Sequence, residues 1–284
     1  MRTPSSLEDL LQEGLIDGVL RQLMSGKEAT VYVVRCGDEI RCAKVYKDAN
    51  QRSFRQAALY QEGRKTKNSR HARAIEKGTR FGRRAQEEAW QNVEVDTLYR
   101  LAAAGVRVPR PYGLFHGVVL MELLVDAGGN AAPRLNDLVL TEELALAYHA
   151  FLMRQIVRML CVGVIHGDLS EYNVLVDRDG PVIIDLPQAV DAAGNNSAAA
   201  MLQRDADNIT SYCSRFAPTL ASTQFGKEIW ALYQRGGLQP EVALSGQFAA
   251  DTRAPDVAGV MREIKDIEKE HAAKLRYKAA ALTR

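Results

Sequence analysis

The sequence predicts an α+β fold with two lobes, the first a small antiparallel sheet with one helix and the second mainly helical. Three observations predict it. Short β-rich runs fill the first part of the chain, long helical patterns fill the last part, and the Gly/Pro-rich stretch "DAGGNAAP" lies between them. We therefore place an N-terminal lobe at residues 1–124, a C-terminal lobe at residues 125–240 and a helical tail at residues 241–284.

The N-terminal lobe is predicted to begin with a short helix and three strands. Ser5 and Glu8 have the spacing of a capping box, which predicts a capped helix start. Three runs rich in β-branched residues follow and are predicted to be antiparallel strands, at 18–23, 29–35 and 40–46. The last two runs are separated by "CGDE", whose Gly-Asp pair is typical of a hairpin turn.

The rest of this lobe is predicted to be one helix and a hairpin. The segment "EEAWQNVEVDTLYRLAAAG" has a helical pattern in which Glu94 shares one face with Trp90 and Leu98. Because a carboxylate on a buried face is costly, we expect Glu94 to be neutral or to pair with a cation. "PYGLF" and "GVVLMELL" then form a hairpin around His116-Gly117, which completes five strands.

The C-terminal lobe is predicted from one long helix, a polar loop, a strand pair and further helices. The helix runs from about residue 142 to 162, and "VIH", the loop "GDLSEY" and the strands "NVLV" and "PVIID" follow it. From Ala198 onward the pattern is helical. The last piece, residues 257–275, is amphipathic and is expected to dock on the body of the protein.

The composition is that of an ordinary globular chain, with 46% hydrophobic and 25% charged residues among 284. No apolar run approaches the roughly 20 residues that a membrane span needs, and the N-terminus lacks the order of a secretory signal. The four cysteines have no C-x-x-C spacing, so we expect buried free thiols. These features predict a cytoplasmic protein with no membrane partner.

The net charge of +2 conceals a basic segment at residues 47–85. This segment carries twelve Lys or Arg residues against three acids, a local charge of +9. Such a segment is predicted to be mobile or at the surface, with an affinity for phosphate-bearing partners such as RNA. A merely solvated loop is the alternative.

Residues 165–190, "IHGDLSEYNVLVDRDGPVIIDLPQAV", carry the polar groups that phosphoryl transfer requires. That reaction needs hard oxygen ligands for Mg²⁺, a carboxylate beside the attacking hydroxyl and a cation on the phosphates. Asp168 and Asn173 lie five residues apart on one loop, and Asp185 comes directly after the apolar run "VII". We predict that Asp168 accepts the hydroxyl proton, while Asn173 and Asp185 ligate the metal.

Two further residues are predicted to supply the cation and its partner. Lys44 lies mid-strand in "CAKVY", where a lysine is costly unless it is paired, and Glu94 needs a cation. Taken singly, Lys44 could be a snorkelling lysine and Glu94 a surface acid, but the combination with the polar loop favours kinase-like chemistry. His166 is predicted to shape the loop by packing, and Asp177 and Asp179 to be turn residues.

Several motifs together resemble the RIO family of atypical protein kinases, in its branch with an S-x-G-K-E-A nucleotide loop. They are "SGKEATVYVV", "CAKVY", the helix with Trp90 and Glu94, "LMELL", "IHGDLSEYNVLV" and "IIDLPQAV". The stretch "MLQRDADNI" is similar to the one that follows the family's metal-binding loop. The resemblance covers about residues 15–211 and implies a two-lobed protein-kinase-like fold without an activation loop or peptide-binding subdomain.

The resemblance also implies the residues of a nucleotide site. The nucleotide loop would be formed by Ser25, Gly26, Lys27 and Glu28, and Lys44 would touch the phosphates while pairing with Glu94. The gatekeeper and the hinge that meets adenine would be Met121, Glu122 and Leu124. Four residues would sandwich the purine, namely Val31, Ala43, Leu175 and Ile184.

The implied activity is that of a serine/threonine kinase that uses ATP with Mg²⁺, or with Mn²⁺ in its place. The acceptor would be a protein or the chain itself, for which Ser69 and Ser53 are candidates. Family members are also proposed to act as ATPases through an aspartyl-phosphate, here on Asp185, in association with ribosomal small-subunit precursors. The basic segment at residues 47–85 would be the surface for such a ribosome or RNA partner.

Two other functions are compatible with the residues. Aminoglycoside and choline phosphotransferases share an "HGD-x-x-x-x-N" loop and an "ID" strand, so a small-molecule kinase is one alternative. Against it, only about 84 residues follow Ala200, which is short for a substrate-binding helical insert. The other alternative is a nucleotide-regulated module that binds RNA or the ribosome.

Overall fold

The computed structural model describes residues 4–26, 29–47 and 80–249, and for residues 80–91 it describes the backbone only. Several predictions lie outside these described residues and side chains. They concern Lys27, Glu28 and Trp90, most of the basic segment with Ser53 and Ser69, and the tail helix. Residues 1–248 form one compact unit, and residues 249–284 are a second one.

The N-terminal lobe has the two helices and five strands that the sequence predicts. The helices are α1, Ser5–Gln12, and α2, described from Arg80 as Arg80–Ala103. The strands are β1, Gly18–Ser25; β2, Ala29–Cys36; β3, Glu39–Tyr46; β4, Pro111–Phe115; and β5, Val118–Glu122.

The five strands form one antiparallel sheet in the order β1-β2-β3-β5-β4. Lys44 lies in the central strand, where it is paired with Val31 of β2 and Val119 of β5. The predicted hairpin between β4 and β5 turns at His116 and Gly117, whose φ angles are 50° and 77°. Two positive φ angles are characteristic of a tight two-residue turn between antiparallel strands, so this prediction is confirmed.

The capping box predicted at Ser5 is wrong. Ser5 is already the first helical residue of α1, the N-cap is Pro4, and no side chain caps the helix. The Pro4 carbonyl instead accepts hydrogen bonds from the backbone N–H groups of Leu7 and Glu8, at 3.0 and 3.2 Å. Proline suits the position before a helix because its fixed φ and missing N–H cost nothing there.

The C-terminal lobe begins with one long helix and continues with short strands. Its helices are α3, Glu142–Cys161; α4, Ala198–Ser214; and α5, Phe225–Gln234. Its strands are β6, Val164–Ile165; β7, Val174–Asp177; β8, Gly180–Ile183; and β9, Val190–Asp191. The strands pair as two small antiparallel ladders, β6 with β9 and β7 with β8. These ladders lie on either side of the polar loop at residues 166–173 and hold its ends.

The predicted α+β, two-lobed, kinase-like architecture is thereby confirmed. Only residues 186–197 connect Asp185 to α4, which is too short for the activation loop and peptide-binding subdomain of larger kinases. All four cysteines are free thiols, as predicted, but only Cys42 and Cys213 are buried, whereas Cys36 and Cys161 are half-buried. Among the described residues, no helix is long and apolar enough to cross a membrane.

The packing of α3 on α4 and α5 buries a histidine, His149, which is 2% exposed. Its Nε2 lies 2.9 Å from Thr210 Oγ1, and its ring lies 4.9 Å from that of Phe225. Burial disfavours the charged imidazolium and lowers the pKa of His149 to about 4. The unfolded chain therefore binds a proton between about pH 6.5 and 4 that the folded chain excludes.

This burial predicts acid sensitivity of the fold. The stability that His149 contributes is complete above about pH 6.5 and is lost as the pH falls toward 4, by about 2 kcal/mol between pH 7 and pH 5. Urea unfolding of the wild type and of His149→Gln at both pH values measures it, since Gln keeps the hydrogen bond to Thr210 but does not titrate. An equal drop in the free energy of unfolding of both proteins between pH 7 and pH 5 would contradict the prediction.

Candidate active site

A cavity of about 440 Å³ lies between the two lobes. Twelve of the residues predicted to bind nucleotide or metal or to catalyse the reaction line it: Gly26, Val31, Lys44, Glu94, Met121, Glu122, Leu124, Asp168, Asn173, Leu175, Ile184 and Asp185. They come from both lobes and are spread over 160 residues of the chain. The fold therefore brings together groups that the sequence shows only as separate motifs.

Ala43 does not line the cavity, and its predicted place against the purine is wrong. Successive side chains of a strand point to opposite faces of the sheet, so Ala43 points away from the side of Lys44. It packs with Leu7 and Leu10 of α1 in the core on the far face. Cys42, two residues before Lys44, lines the cavity in its place. Burial raises the pKa of the Cys42 thiol to about 12, so it remains an apolar wall.

Ser25 also lies outside the cavity lining. Its hydroxyl accepts a hydrogen bond of 3.0 Å from Lys47 Nζ, which also donates to the carbonyl of Gly26 at 2.6 Å. The Ser25 side chain thus anchors the base of the predicted nucleotide loop, and of the described residues in that loop Gly26 lines the cavity.

Lys44 forms ion pairs with two carboxylates at the inner end of the cavity. Its Nζ lies 2.7 Å from Glu94 Oε1 and 2.9 Å from Asp185 Oδ1. Lys44 and Glu94 are 9% and 3% exposed, so the predicted pair is buried. Burial opposes the charge on Lys44, but the two carboxylates outweigh it and raise the pKa of Lys44 above its ordinary value. The ammonium is therefore charged at neutral pH.

Asp185 follows β8 in a conformation that non-glycine residues rarely adopt, with φ of 67°. Such strain persists where the surrounding structure requires it, often at functional sites. Here the turn directs the carboxylate into the cavity, and the side chain remains 44% exposed. The charge of Lys44 lowers the pKa of Asp185, so this carboxylate is ionised at neutral pH.

Asp168 and Asn173 lie on the loop that enters the cavity from the C-terminal lobe. Asn173 Nδ2 donates a 2.8 Å hydrogen bond to the Asp168 carbonyl, so the amide oxygen is the atom of Asn173 that can ligate a metal. Gln188 Nε2 lies 3.4 Å from Asp168 Oδ2. Burial raises the pKa of Asp168 above its ordinary value, although the nearby His166 and Arg204 act in the opposite direction.

His166 is buried and shapes this loop, as predicted. It is 1% exposed, and its Nε2 lies 3.0 Å from the Ile184 carbonyl. Its Nδ1 lies 3.3 Å from the backbone nitrogen of Asp168. A tautomer that carries its proton on Nε2 satisfies both contacts. The imidazole therefore ties the Asp168 loop to the strand end that carries Asp185.

Asp205 of α4 is a site residue that the sequence analysis missed. It is 1% exposed, and its two carboxylate oxygens accept hydrogen bonds from the backbone N–H groups of Gly167 and Leu169, at 2.8 and 2.9 Å. Asn208 Nδ2 donates to the Leu169 carbonyl at 2.9 Å, and Arg204 donates to the Gly167 carbonyl. One turn of α4 thus fixes the loop on both sides of Asp168.

Replacing Asp205 with Asn is expected to destabilise the fold and the loop together. The Asn amide has one oxygen that can accept a hydrogen bond, so its NH₂ group faces the other of the two backbone N–H donors. One buried N–H donor is then left without an acceptor, at a cost of about 1–3 kcal/mol. Urea unfolding measures the loss, and Asp207→Asn on the exposed face of the same helix is the matched control. Equal stabilities of the two variants would refute the assigned role of Asp205.

Asp177 does more than form a turn. Its Oδ1 accepts a 2.8 Å hydrogen bond from the backbone N–H of Asp179, as a turn residue should. Its Oδ2 forms an ion pair with Nη2 of Arg107, and Nη1 of the same guanidinium lies 3.4 Å from Glu122 Oε2. Arg107 also donates its backbone N–H to Gln155 of α3 at 2.8 Å. Arg107 therefore links the hinge to the strand pair that carries Leu175.

The donor set at the inner end of the cavity fits a hard divalent cation. The carboxylate of Asp185 and the amide oxygen of Asn173 are both oxygen ligands, and both side chains line the cavity. Magnesium sites of this kind use one or two protein ligands and complete the shell with water and substrate phosphate.

Comparison with known proteins assigns the family. Residues 30–225 match the RIO domain. The RIO-type serine/threonine-protein kinase Rio1 of Haloferax volcanii is 35% identical over 75% of this chain and 69% of its own length. Rio1 of Methanocaldococcus jannaschii is 30% identical with the same coverage. RIO1 of Chaetomium thermophilum is 30% identical over 73% of this chain, but the match spans only 41% of that longer protein.

The family match extends from β2 to the start of α5 and therefore includes the polar loop and all of the cavity lining except Leu23, Met24, Gly26 and Ala29. The chain belongs to the RIO family of serine/threonine protein kinases.

Proposed function

We propose that the chain transfers the γ-phosphoryl group of ATP, bound with Mg²⁺, to a serine or threonine hydroxyl. One observation supports this above all. Lys44, held between Glu94 and Asp185, and the carboxylate of Asp168 face a single cavity. That arrangement supplies a phosphate-binding cation, a metal-binding carboxylate and a base, which phosphoryl transfer requires.

Each residue has a role that follows from its place. Asp168 accepts the proton of the attacking hydroxyl, and Asp185 and Asn173 hold the Mg²⁺ ion, or Mn²⁺ in its place. The bound ion neutralises charge on the phosphate oxygens. Lys44 contacts the phosphates, and Gly26 covers them together with its loop neighbours. Residues of both lobes enclose the adenine: Val31, Cys42, Met121, Glu122, Leu124, Leu175 and Ile184.

ATP hydrolysis through an acyl-phosphate on Asp185 is the second route that the site supports. A carboxylate oxygen of Asp185 would attack the γ-phosphorus and break its bond to the bridging oxygen, which leaves as part of ADP. Water would then release inorganic phosphate and restore the carboxylate. The exposure of the Asp185 side chain, 44%, supports this route because a carboxylate oxygen can reach the nucleotide.

A role in maturation of the small ribosomal subunit is proposed on the family resemblance and on the +9 charge of residues 47–85. Deleting residues 64–77 should then weaken binding to ribosomal RNA and leave ATP turnover unchanged. A cytoplasmic location is likewise proposed from the free cysteines.

Incubation with γ-labelled ATP tests the proposed function. Acid-stable label on a serine or threonine of the chain or of an added protein indicates kinase activity. Label that hydroxylamine releases, and that is absent from Asp185→Asn, indicates the acyl-phosphate route, because hydroxylamine cleaves an acyl-phosphate but not a serine or threonine phosphate. A failure to consume ATP in the presence of Mg²⁺ would refute both.

A further inference from the structure

Arg134 lies between the hinge and α3, and its side chain lines the cavity. Its backbone is fixed, because Arg134 forms an antiparallel bridge with Leu175 and the Pro133 carbonyl accepts a 2.9 Å hydrogen bond from Val176. Its guanidinium reaches the other lobe, where Nη2 lies 3.7 Å from Met24 Sδ in β1. A cation on a rigid base therefore spans the two walls of the cavity.

The hydrogen-bonding capacity of this guanidinium is almost unused. It has five N–H donors, and a thioether is a weak acceptor. Within the described ranges 4–26, 29–47 and 80–249, no carboxylate forms an ion pair with Arg134. Lys44 differs, since two carboxylates already neutralise its charge. Arg134 thus offers a charge that no carboxylate pairs, and donors that are little used, in the part of the chain that the structure describes.

The charge balance of the cavity makes this cation significant. Among the described residues that line it, four carboxylates face two cations, namely Glu94, Glu122, Asp168 and Asp185 against Lys44 and Arg134. ATP carries several negative charges, which such a lining repels. A bound divalent ion offsets part of this repulsion. Among the described residues that line the cavity, Arg134 is a positive group whose charge can act on the phosphates in addition to that of Lys44.

The position of Arg134 favours the phosphates over the adenine. The Met24 that the guanidinium contacts lies two residues before Gly26, and both residues line the cavity. The guanidinium therefore lies near the loop that is proposed to cover the phosphates. A planar guanidinium also matches the geometry of two phosphate oxygens, which a thioether does not.

We propose that Arg134 is a nucleotide-binding residue that exchanges its contact with Met24 for the polyphosphate of the bound nucleotide. This inference rests on the proposed function, because it presumes that the cavity binds ATP. According to this proposal, Arg134 is the residue that lets the cavity discriminate between phosphorylated nucleotides and the nucleoside without phosphate. It also predicts that the contact between Arg134 and Met24 is a feature of the empty cavity.

Calorimetric titration of Arg134→Met, Arg134→Lys and the wild type with ATP, ADP and adenosine tests the proposal, with and without Mg²⁺. Arg134→Met should weaken the binding of ATP and ADP by about 10-fold or more, as expected for loss of a charge-assisted hydrogen bond. Adenosine binding should be unchanged. The affinity of Arg134→Lys for ATP and ADP should lie between those of the wild type and Arg134→Met. Arg154→Met, which removes an exposed arginine from α3, should have no effect.

Three results would overturn the inference while leaving the proposed function intact. They are unchanged ATP affinity in Arg134→Met, an equal loss for ATP and adenosine, or a defect confined to the KM of a protein acceptor. A wild-type chain that binds adenosine but not ATP would refute the proposed function and this inference with it.

Discussion

Asp168→Asn is expected to lower the rate of phosphoryl transfer by about 10²–10⁴-fold. The amide cannot accept the proton of the attacking hydroxyl, whereas the side chain keeps its size and its place on the loop. Initial rates with γ-labelled ATP and an acceptor protein measure the effect, together with the affinity for ATP. We expect ATP affinity to change little, because Asp168 acts on the acceptor side of the reaction.

The same variant should be as stable as the wild type. Because burial raises the pKa of Asp168, the folded chain disfavours the charge, and its removal costs no stability. Asp179→Asn removes a carboxylate from the exposed turn between β7 and β8 and serves as the control for a simple change of charge. Near-normal rates in Asp168→Asn would refute the assignment of Asp168 as the base.

The pH dependence of kcat/KM gives an independent test of this assignment. Asp168 must be ionised to accept a proton, so the rate falls as the pH drops through its pKa. Since burial raises that pKa, the acid limb should lie above the ordinary value of 3.8 for an aspartate. In Asp168→Asn the residual rate should lose this limb. A limb that persists unchanged in the variant would belong to another group.

The sequence predicted the Lys44–Glu94 pair because each residue broke a local rule. A lysine in a central strand and an acid on the apolar face of a helix both require partners, and 50 residues separate the two. The same signal was present for Asp205, which shares the buried face of α4 with Leu202 and Ile209. The signal is weaker there, because no lysine or arginine in a strand stands out as its partner and the groups that Asp205 binds are backbone N–H groups.

Two other features mark where the site predictions differ from the structure, one with a signal in the sequence and one without. Ala43 was misplaced although strand alternation from Lys44 points to Cys42 as the residue on the cavity side. For Arg107 and Arg134 the sequence offers no comparable signal, because arginine in a loop is ordinary. Their roles depend on tertiary contacts, such as those that bring Glu122 and Asp177 to the same guanidinium.

Lys44→Met is expected to cause both a loss of activity by orders of magnitude and a loss of stability of about 3 kcal/mol. The variant removes the cation that is proposed to bind phosphate, and it leaves the carboxylate of Glu94, 3% exposed, without its ammonium partner. Urea unfolding measures the stability, and γ-labelled ATP measures the rate. Glu94→Gln should be less destabilising, because Lys44 retains Asp185.

Double-mutant cycles separate the two ion pairs of Lys44. The pair with Glu94 is buried on both sides, whereas the Asp185 side chain is 44% exposed and solvent screens its interaction. The coupling free energy in the Lys44→Met, Glu94→Gln cycle should therefore be about 1–3 kcal/mol and should exceed that of the Lys44→Met, Asp185→Asn cycle.

This ordering has a functional reason. In the proposed function Asp185 would exchange Lys44 for the metal ion when nucleotide binds, so a weak pair with Asp185 and a strong pair with Glu94 would let Lys44 stay in place during the exchange. If the cycle with Asp185 showed the larger coupling, metal binding would have to break the stronger contact. Asp185 could then not be the group that releases Lys44, and the division of roles between the two carboxylates would be reversed.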